Sequence, residues 1–589
     1  MEVSRGTARS APFTGSCKLM LKKTIADTLA REHGTIIKRG ASHAVRIALV
    51  FPNTYYVGMS NLGFQTIYRH LNARDDVVCE RAFLPEPADL QDLRKSRTPL
   101  FTYETGMALG DFDIVAFSIS FENDYSNLIR ILDLARIPVL AHDRTSFDPI
   151  ILIGGAITYI NPEPLADFSD VMVIGDGEET AYRYIDQYIE DKNKPRETHL
   201  QHTLNLDGMY VPAIRKFSTD EYNTSIDQVA KQQVSSFEDY PAYSGILTPD
   251  TEFGETMLIE ISRGCPRRCR FCAVSYVYPK FRALKPETIL NLIHAENERL
   301  ERVGQPKVKA VGLVSSAMCD YPYLDELCAG LDTLDIRIGV SSVRVDLIPE
   351  SLLNLMLKTG LRTMTIAPEA GSERLRKAIN KPISSEQILT GAERILTKGI
   401  KNLKLYYMVG LPTETDEDID ELIEMTKALS QLQRIHGVPG GKLRLSINPF
   451  IPKALTPFQW SPMVAPKEIK RKLNYIMKSL RRTPGVDVKH ESLKSAYFEG
   501  ILSRGGRELS VFLLETVRQE GDWKRAADEI GMDTNAYLGD MADRETLPWD
   551  FISTDKEQHR LQWEYRKSHG LPHRSKGVER AESRVLSPE

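Results

Sequence analysis

The chain has no run of about 18 or more apolar residues, so a membrane-spanning helix is not expected. It also lacks a marked charge of either sign. Lys and Arg number 76 against 80 Asp and Glu, leaving a net charge of −4. Nucleic acid is therefore not indicated as a partner, and only a local patch would provide such a surface. Cysteine is scarce, with seven in 589 residues, an odd count with three of them inside eight positions. That distribution excludes a disulfide framework and fits a reducing compartment with one metal site, which makes the cytoplasm the expected location. The N-terminus carries Arg5, Arg9, Lys18, Lys22 and Lys23 without the apolar stretch of a secretory signal. Asp27 and Glu32 follow closely, which favours an ordinary solvated leader over a transit peptide.

What is present describes a folded protein of two or three domains: 42% hydrophobic and 26% charged residues over a length too great for one ordinary core. Residues 1–44 read as a leader with one short helix around Met20–Glu32. Residues 45–190 alternate β-rich runs with helical spacing. Val45–Phe51, Asp113–Ser120, Pro149–Ile153 and Val171–Ile174 are the strands, and Asn61–Asn72 and Tyr125–Ala135 are helices. Such alternation predicts a doubly wound parallel α/β sheet, which binds ligands at the carboxyl ends of its strands. Gly154, Gly155 and the run Gly175–Glu178 fall at those ends, as ligand rim or as plain tight turns. Residues 191–249, polar and irregular with alternating pieces such as Met209–Ile214, look like a connector with a small hairpin.

Residues 250–465 repeat one pattern. The strand candidates Met257–Ser262, Val308–Val314, Ile336–Ser341, Thr363–Ala367, Asn402–Val409 and Lys442–Asn448 are each followed by helical spacing, with Pro286 and Asp416 as start signals. Consecutive βα units without an antiparallel return predict a partial (βα)6 barrel, whose functional groups should stand at the carboxyl ends of the strands. Residues 466–567 read as mostly helical, and 568–589 as a frayed basic tail.

Directly after the first barrel strand comes Glu260-Ile-Ser-Arg-Gly-Cys265-Pro-Arg-Arg-Cys269-Arg-Phe-Cys272. Three thiolates so spaced can wrap one face of a cubane cluster and leave its fourth iron without a protein ligand. Arg267, Arg268 and Arg270 would offset the anionic charge. The competing reading is structural zinc, which wants four ligands; His294, Cys319 and Cys328 are poorly placed to supply the fourth. Cys17, Cys79, Cys319 and Cys328 are either ligands of a second cluster or buried, inert thiols, and their scatter without metal spacing favours the latter.

The C-x3-C-x2-C motif with Phe271 before its last cysteine resembles the signature of the radical S-adenosylmethionine superfamily. The resemblance implies a [4Fe–4S] cluster on Cys265, Cys269 and Cys272, with S-adenosylmethionine chelating the open iron. It implies reductive cleavage to methionine and a 5′-deoxyadenosyl radical that abstracts hydrogen from an unreactive C–H bond, and a reducing partner such as flavodoxin or ferredoxin. Ser315 and Ser316 stand where the family contacts the methionine amino group, and Ser341 and Arg344 where polar side chains meet the cofactor. Glu369 stands where a ribose contact is expected, and Leu405–Pro412 resembles the segment near the adenine. Tyr406 and Tyr407, at a strand end, contact substrate or merely pack, with packing favoured, while Pro449–Pro462 roofs the site or closes the barrel's edge.

The stretch Val45–Ile185 resembles the cobalamin-binding-like Rossmann domain fused to many such barrels. The familiar Asp-x-His-x-x-Gly loop is missing: Pro52–Gly63 contains no histidine, and none of the twelve histidines has an Asp two residues before it. Any cobalamin is therefore expected without histidine ligation, and an empty or repurposed pocket stands beside that expectation. Three functions remain open: a radical enzyme with a corrinoid, with methyl transfer as one outcome; a radical enzyme modifying RNA or protein with the N-terminal domain as partner module; and a non-catalytic iron–sulfur binding protein. Methylthiotransferase is disfavoured, because only Cys17 and Cys79 precede the barrel.

Overall fold

The computed structural model describes residues 16–38, 43–214, 228–278 and 280–571. The N-terminal sheet contains β1 (Val45–Phe51), β2 (Val77–Phe83), β3 (Ile114–Ser118), β4 (Ile150–Gly154), β5 (Val171–Val173) and β6 (Met209–Tyr210), in the order β2-β1-β3-β4-β5-β6. β1 to β5 pair in parallel, and β6 joins β5 antiparallel. β1 and β2 are almost wholly buried, as strands covered on both faces must be. One face, with Ile47, Leu49, Ile114 and Ala116, packs under the helices Leu62–Ala73 and Gly177–Asp191. The other, with Ala48, Val50, Val115 and Phe117, meets the helix Tyr125–Ala135 and C-terminal residues Phe512 and Leu513. The expected hairpin is absent from the described part of 191–249; Met209–Tyr210 extends the sheet by pairing with β5 instead.

The second unit contains β7 (Met257–Arg263), β8 (Arg282–Ala283), β9 (Ala310–Ser315), β10 (Arg337–Val340), β11 (Thr363–Glu369), β12 (Asn402–Val409), β13 (Leu443–Pro449) and β14 (Val486–Lys489). Two four-stranded sheets, β10-β9-β7-β8 and β11-β12-β13-β14, are linked by a parallel bridge from Val343 to Ile366. The expected βα units are all present as a partial barrel. To them β14 adds a further parallel edge strand, in a segment whose sequence reads as helical. Along β12 and β13, Leu403, Leu405, Leu443, Leu445 and Ile447 face the helices outside, so the intervening residues face inward. The helix Asp416–His436 is capped by Thr415 in a capping box with Asp418, one residue earlier than the expected start signal at Asp416.

One expectation about the termini needs correction. The helix Ser16–Leu29 does not belong to a solvated leader: Leu21 and Ile25 are buried, and Glu32 forms a fully buried ion pair with Arg81 at 2.7 Å. At the other end the helix Asp555–Ser568 packs against the segment Pro457–Trp460, with Tyr565 on Trp460; residues 572–589 lie outside the described residues.

Candidate functional site

The loop after β7 begins at Gly264, whose φ of 93° and closeness to the Lys280 carbonyl (2.8 Å from where a Cβ would stand) admit only glycine. Cys265, Cys269 and Cys272 follow, all half-buried and free. The Cys272 N–H donates to the Cys269 carbonyl at 3.1 Å. Burial pushes the Cys269 thiol up to about 11 and the Cys272 thiol up to about 12, and each thiol feels its neighbours' charge. Among the described residues no set of three or more His, Cys, Asp or Glu is already assembled around a metal position. The thiols are thus neighbours on one loop that a cluster must draw together. That donor chemistry, three soft sulfurs with no fourth ligand at hand, fits a [4Fe–4S] cluster better than structural zinc.

The loop is held from outside. Asn380 Nδ2 donates to the Arg268 carbonyl at 2.8 Å, and the Arg270 N–H donates to the Ile379 carbonyl at 3.0 Å. The Arg270 side chain donates to the Ala378 carbonyl at 2.6 Å and pairs with Glu564 of the last helix at 2.8 Å. Arg267 pairs with Asp320. Two of the three loop arginines are therefore committed to carboxylates, and Arg268 is left exposed.

Of the residues expected to meet the cofactor, Glu369 and Arg344 are close enough to influence the Cys269 thiol electrostatically. Glu369 pairs with Lys381 at 2.9 Å, and Arg344 with Asp346 at 2.7 Å. Ser315 is buried, 2.7 Å from the Ser262 hydroxyl, and accepts from the Ala317 N–H at 3.0 Å. Ser341 donates to the Ser315 carbonyl at 2.9 Å, while Ser316 is exposed. Phe271 packs on an apolar cluster with Ala370, Leu411, Phe450 and Phe458, which places part of the Pro449–Pro462 segment against the cysteine loop. Tyr407 packs outward in the barrel core, whereas Tyr406 stands on the opposite face of β12 beside Lys404. Cys79 and Cys328 are buried, Cys319 is half-buried beside the Arg344 carbonyl, and the Cys17 side chain lies outside the described residues. Lys381 escaped the sequence reading because nothing in its spacing links it to the cysteines; only the helix Glu373–Ala378 turning back brings it there.

A cavity of about 500 Å³ runs along the Ile47/Leu49 face of the N-terminal sheet and reaches Glu260, Arg263 and Val314 of the barrel. Gly154, Gly155, Ser118 and Ser120 form its rim, and Gly155 (φ 108°) approaches the Ile119 carbonyl too closely for any side chain. Its wall includes Thr66, 1% exposed, whose hydroxyl has no hydrogen-bond partner in the structure. No histidine lines the cavity among the described residues. The Pro52–Gly63 loop is fixed by its own contacts. Asn53 donates to Asp124 at 2.7 Å, and Asn61 caps the helix Leu62–Ala73 while donating to Ser120 at 3.0 Å. At the barrel side of the cavity, Arg263 pairs with Asp176 at 2.8 Å, Glu178 at 2.8 Å and Glu260 at 2.7 Å, tying the loop after β5 to the strand that leads into the cysteines.

Two family descriptions match the chain: "Radical SAM proteins, N-terminal" over residues 63–212 and "Radical SAM superfamily" over residues 259–426. An uncharacterized protein of Methanocaldococcus jannaschii is 31% identical over 471 residues, 79% of this chain and 90% of that one. The ribosomal protein uS12 methylthiotransferase RimO of Pseudothermotoga lettingae is 26% identical over 175 residues, 28% of this chain and 40% of its own length. Among solved structures, the cobalamin-dependent S-adenosylmethionine radical enzyme OxsB with aqua-cobalamin and S-adenosylmethionine bound is 15% identical, with a TM-score of 0.48, covering 89% of this chain and 71% of that one. A likeness at that level says nothing of what this chain binds. No described helix is long and apolar enough to cross a membrane.

Proposed function

The chain belongs to the radical S-adenosylmethionine superfamily and is an enzyme, and from that premise we propose that Cys265, Cys269 and Cys272 hold its [4Fe–4S] cluster. The observation that carries this is the placement of all three thiols on one braced loop at the carboxyl end of β7. When bound, the cluster supplies the electron that splits S-adenosylmethionine into methionine and a 5′-deoxyadenosyl radical for attack on a C–H bond. The protein's own residues bind and orient. Ser316, exposed at the end of β9, is free for the methionine amino group, whereas the Ser315 hydroxyl is occupied internally and shapes the turn. Glu369 offers the ribose its carboxylate, with Lys381 fixing one oxygen. Ser341 and Arg344 give polar contacts, and Phe271 walls the loop off from water with the Leu411 and Phe458 side chains. Flavodoxin or ferredoxin is the proposed reducing partner.

The N-terminal cavity supports a corrinoid held without histidine ligation, with methyl transfer as the associated reaction. The support is its position, since it opens onto barrel residues and carries an unpaired buried Thr66 hydroxyl that a ligand acceptor would satisfy. A partner module for RNA or protein would not need such an internal space.

Anaerobic reconstitution tests the core of the reading. Protein reconstituted with iron and sulfide should form a [4Fe–4S] cluster and, once reduced, release 5′-deoxyadenosine slowly. Single Ala replacements of Cys265, Cys269 or Cys272 should abolish both. Cleavage persisting in the triple variant would refute the assignment.

A further inference from the structure

The segment Ala378–Lys381 grips the cysteine loop on both sides of Cys269. The Asn380 amide holds the Arg268 carbonyl at 2.8 Å, and the Ile379 carbonyl receives the Arg270 N–H at 3.0 Å. The next residue, Lys381, is 9% exposed, and its ammonium lies 2.9 Å from Glu369 Oε1. An ammonium has three N–H donors, so one such contact leaves donor capacity to spare. Arg344, by contrast, is held bidentately by Asp346.

We propose that Lys381 sets the electron affinity of the cluster, its ammonium stabilising the negative charge gained when one electron arrives from the external reductant. This rests on the three cysteines being the cluster's ligands. The step forms and breaks no bond: one electron leaves the reductant and enters the cluster. Cluster potentials respond to nearby charge, to hydrogen bonds at sulfur and to exposure, and a charge counts for more where water is largely excluded. Lys381 and Glu369 carry opposite charges at the same place, so they act with opposite sign. Removing the cation makes reduction harder, and removing the anion makes it easier.

The test is an EPR-monitored redox titration of the reconstituted full chain, with dithionite as reductant and iron content measured on each sample. Lys381→Met should weaken electron uptake about tenfold, a fall of about 59 mV for a one-electron couple. Lys381→Arg should stay near wild type, and Glu369→Gln should shift the potential upward. An unchanged potential in Lys381→Met with iron intact overturns the proposal. So do shifts of the same sign in Lys381→Met and Glu369→Gln, which would mark a merely structural brace. If Lys381→Met loses its iron, the Glu369→Gln shift decides: upward supports the proposal, and none overturns it. Wild-type protein that forms no cluster overturns the cysteine assignment itself, and this proposal with it.

Discussion

Glu369 adopts a φ of 68°, in the left-handed region that a glutamate rarely enters, at the point where the pairing of β11 with β12 becomes irregular. That turn aims the carboxylate at Lys381 and toward the cysteines, so its conformation is explained by where the side chain must go. Glu369→Ala should weaken S-adenosylmethionine binding on the order of ten- to a hundredfold, from loss of a charged hydrogen bond of about 1.5–3 kcal/mol. Calorimetry on the reconstituted variant checks this, with iron content unchanged; wild-type affinity would misplace the ribose contact. A second residue answers to pH. Burial pushes the Asp124 carboxyl up to about 6, against the hydrogen bonds it accepts from Asn53 and Asn127. Its folded value thus lies above the unfolded one, and the penalty for ionising it grows as pH rises from about 4 to about 6. Above that window Asp124 costs on the order of 2–3 kcal/mol of stability; below it, nothing. Asp124→Asn keeps an acceptor and removes the charge. Its stability relative to wild type, measured by urea unfolding at pH 4 and pH 7.5, should therefore be similar at the lower pH and higher at the upper.

At the scale of elements, the cysteine loop was legible because its ligand spacing is local, and the barrel strands because buried parallel strands read as apolar runs. The strand β14 was not. Its four residues, Val486–Lys489, alternate half-buried and exposed positions, a pattern too short to separate from the helical text around it. The short helix Glu373–Ala378 escaped for the same reason, though its Ser372 cap is plain once seen. Neither could the sequence show that the helix Asp555–Ser568 lies under the loop, since the Arg270–Glu564 contact spans 294 positions. That pair is the loop's outer anchor, with side chains 5% and 14% exposed. Glu564→Ala leaves a buried guanidinium without its carboxylate, which costs about 3–5 kcal/mol where no other charge replaces it. The variant should unfold at distinctly lower denaturant and retain less iron after gel filtration. Equal stability and iron would mean that the Ala378 carbonyl alone suffices to hold Arg270.

Across the whole molecule, the chain returns on itself. Residues from the C-terminal helices, among them Phe512 and Leu513, complete the core on one face of the N-terminal sheet, leaving the other face to the cavity. The sequence showed both α/β units but not this closure, because helix spacing says which face is apolar and not what will cover it. The cavity itself, where a corrinoid is proposed, lies between the sheet and the strand leading to Cys265, with Arg263 bound to Asp176 and Glu178 across the junction. The polar groups on the cavity wall are hydroxyls, amides and charged ends such as Thr66, Ser118, Asn61 and Arg263; none is an imidazole. Cobalt bound above this rim would find no histidine in the Pro52–Gly63 loop either, where Asn53 is committed to Asp124 and Asn61 to its helix cap. Protein incubated anaerobically with cobalamin should therefore retain it in stoichiometric amount through gel filtration. The cob(II)alamin state should then show an EPR spectrum without nitrogen hyperfine splitting from a lower axial histidine. Thr66→Val, which removes the unpaired hydroxyl at nearly constant volume, should leave the ligand-free protein as stable as wild type while lowering cobalamin retention. Histidine hyperfine structure would overturn the ligation reading. No uptake under any condition would return the N-terminal domain to the role of a module that receives a macromolecular substrate.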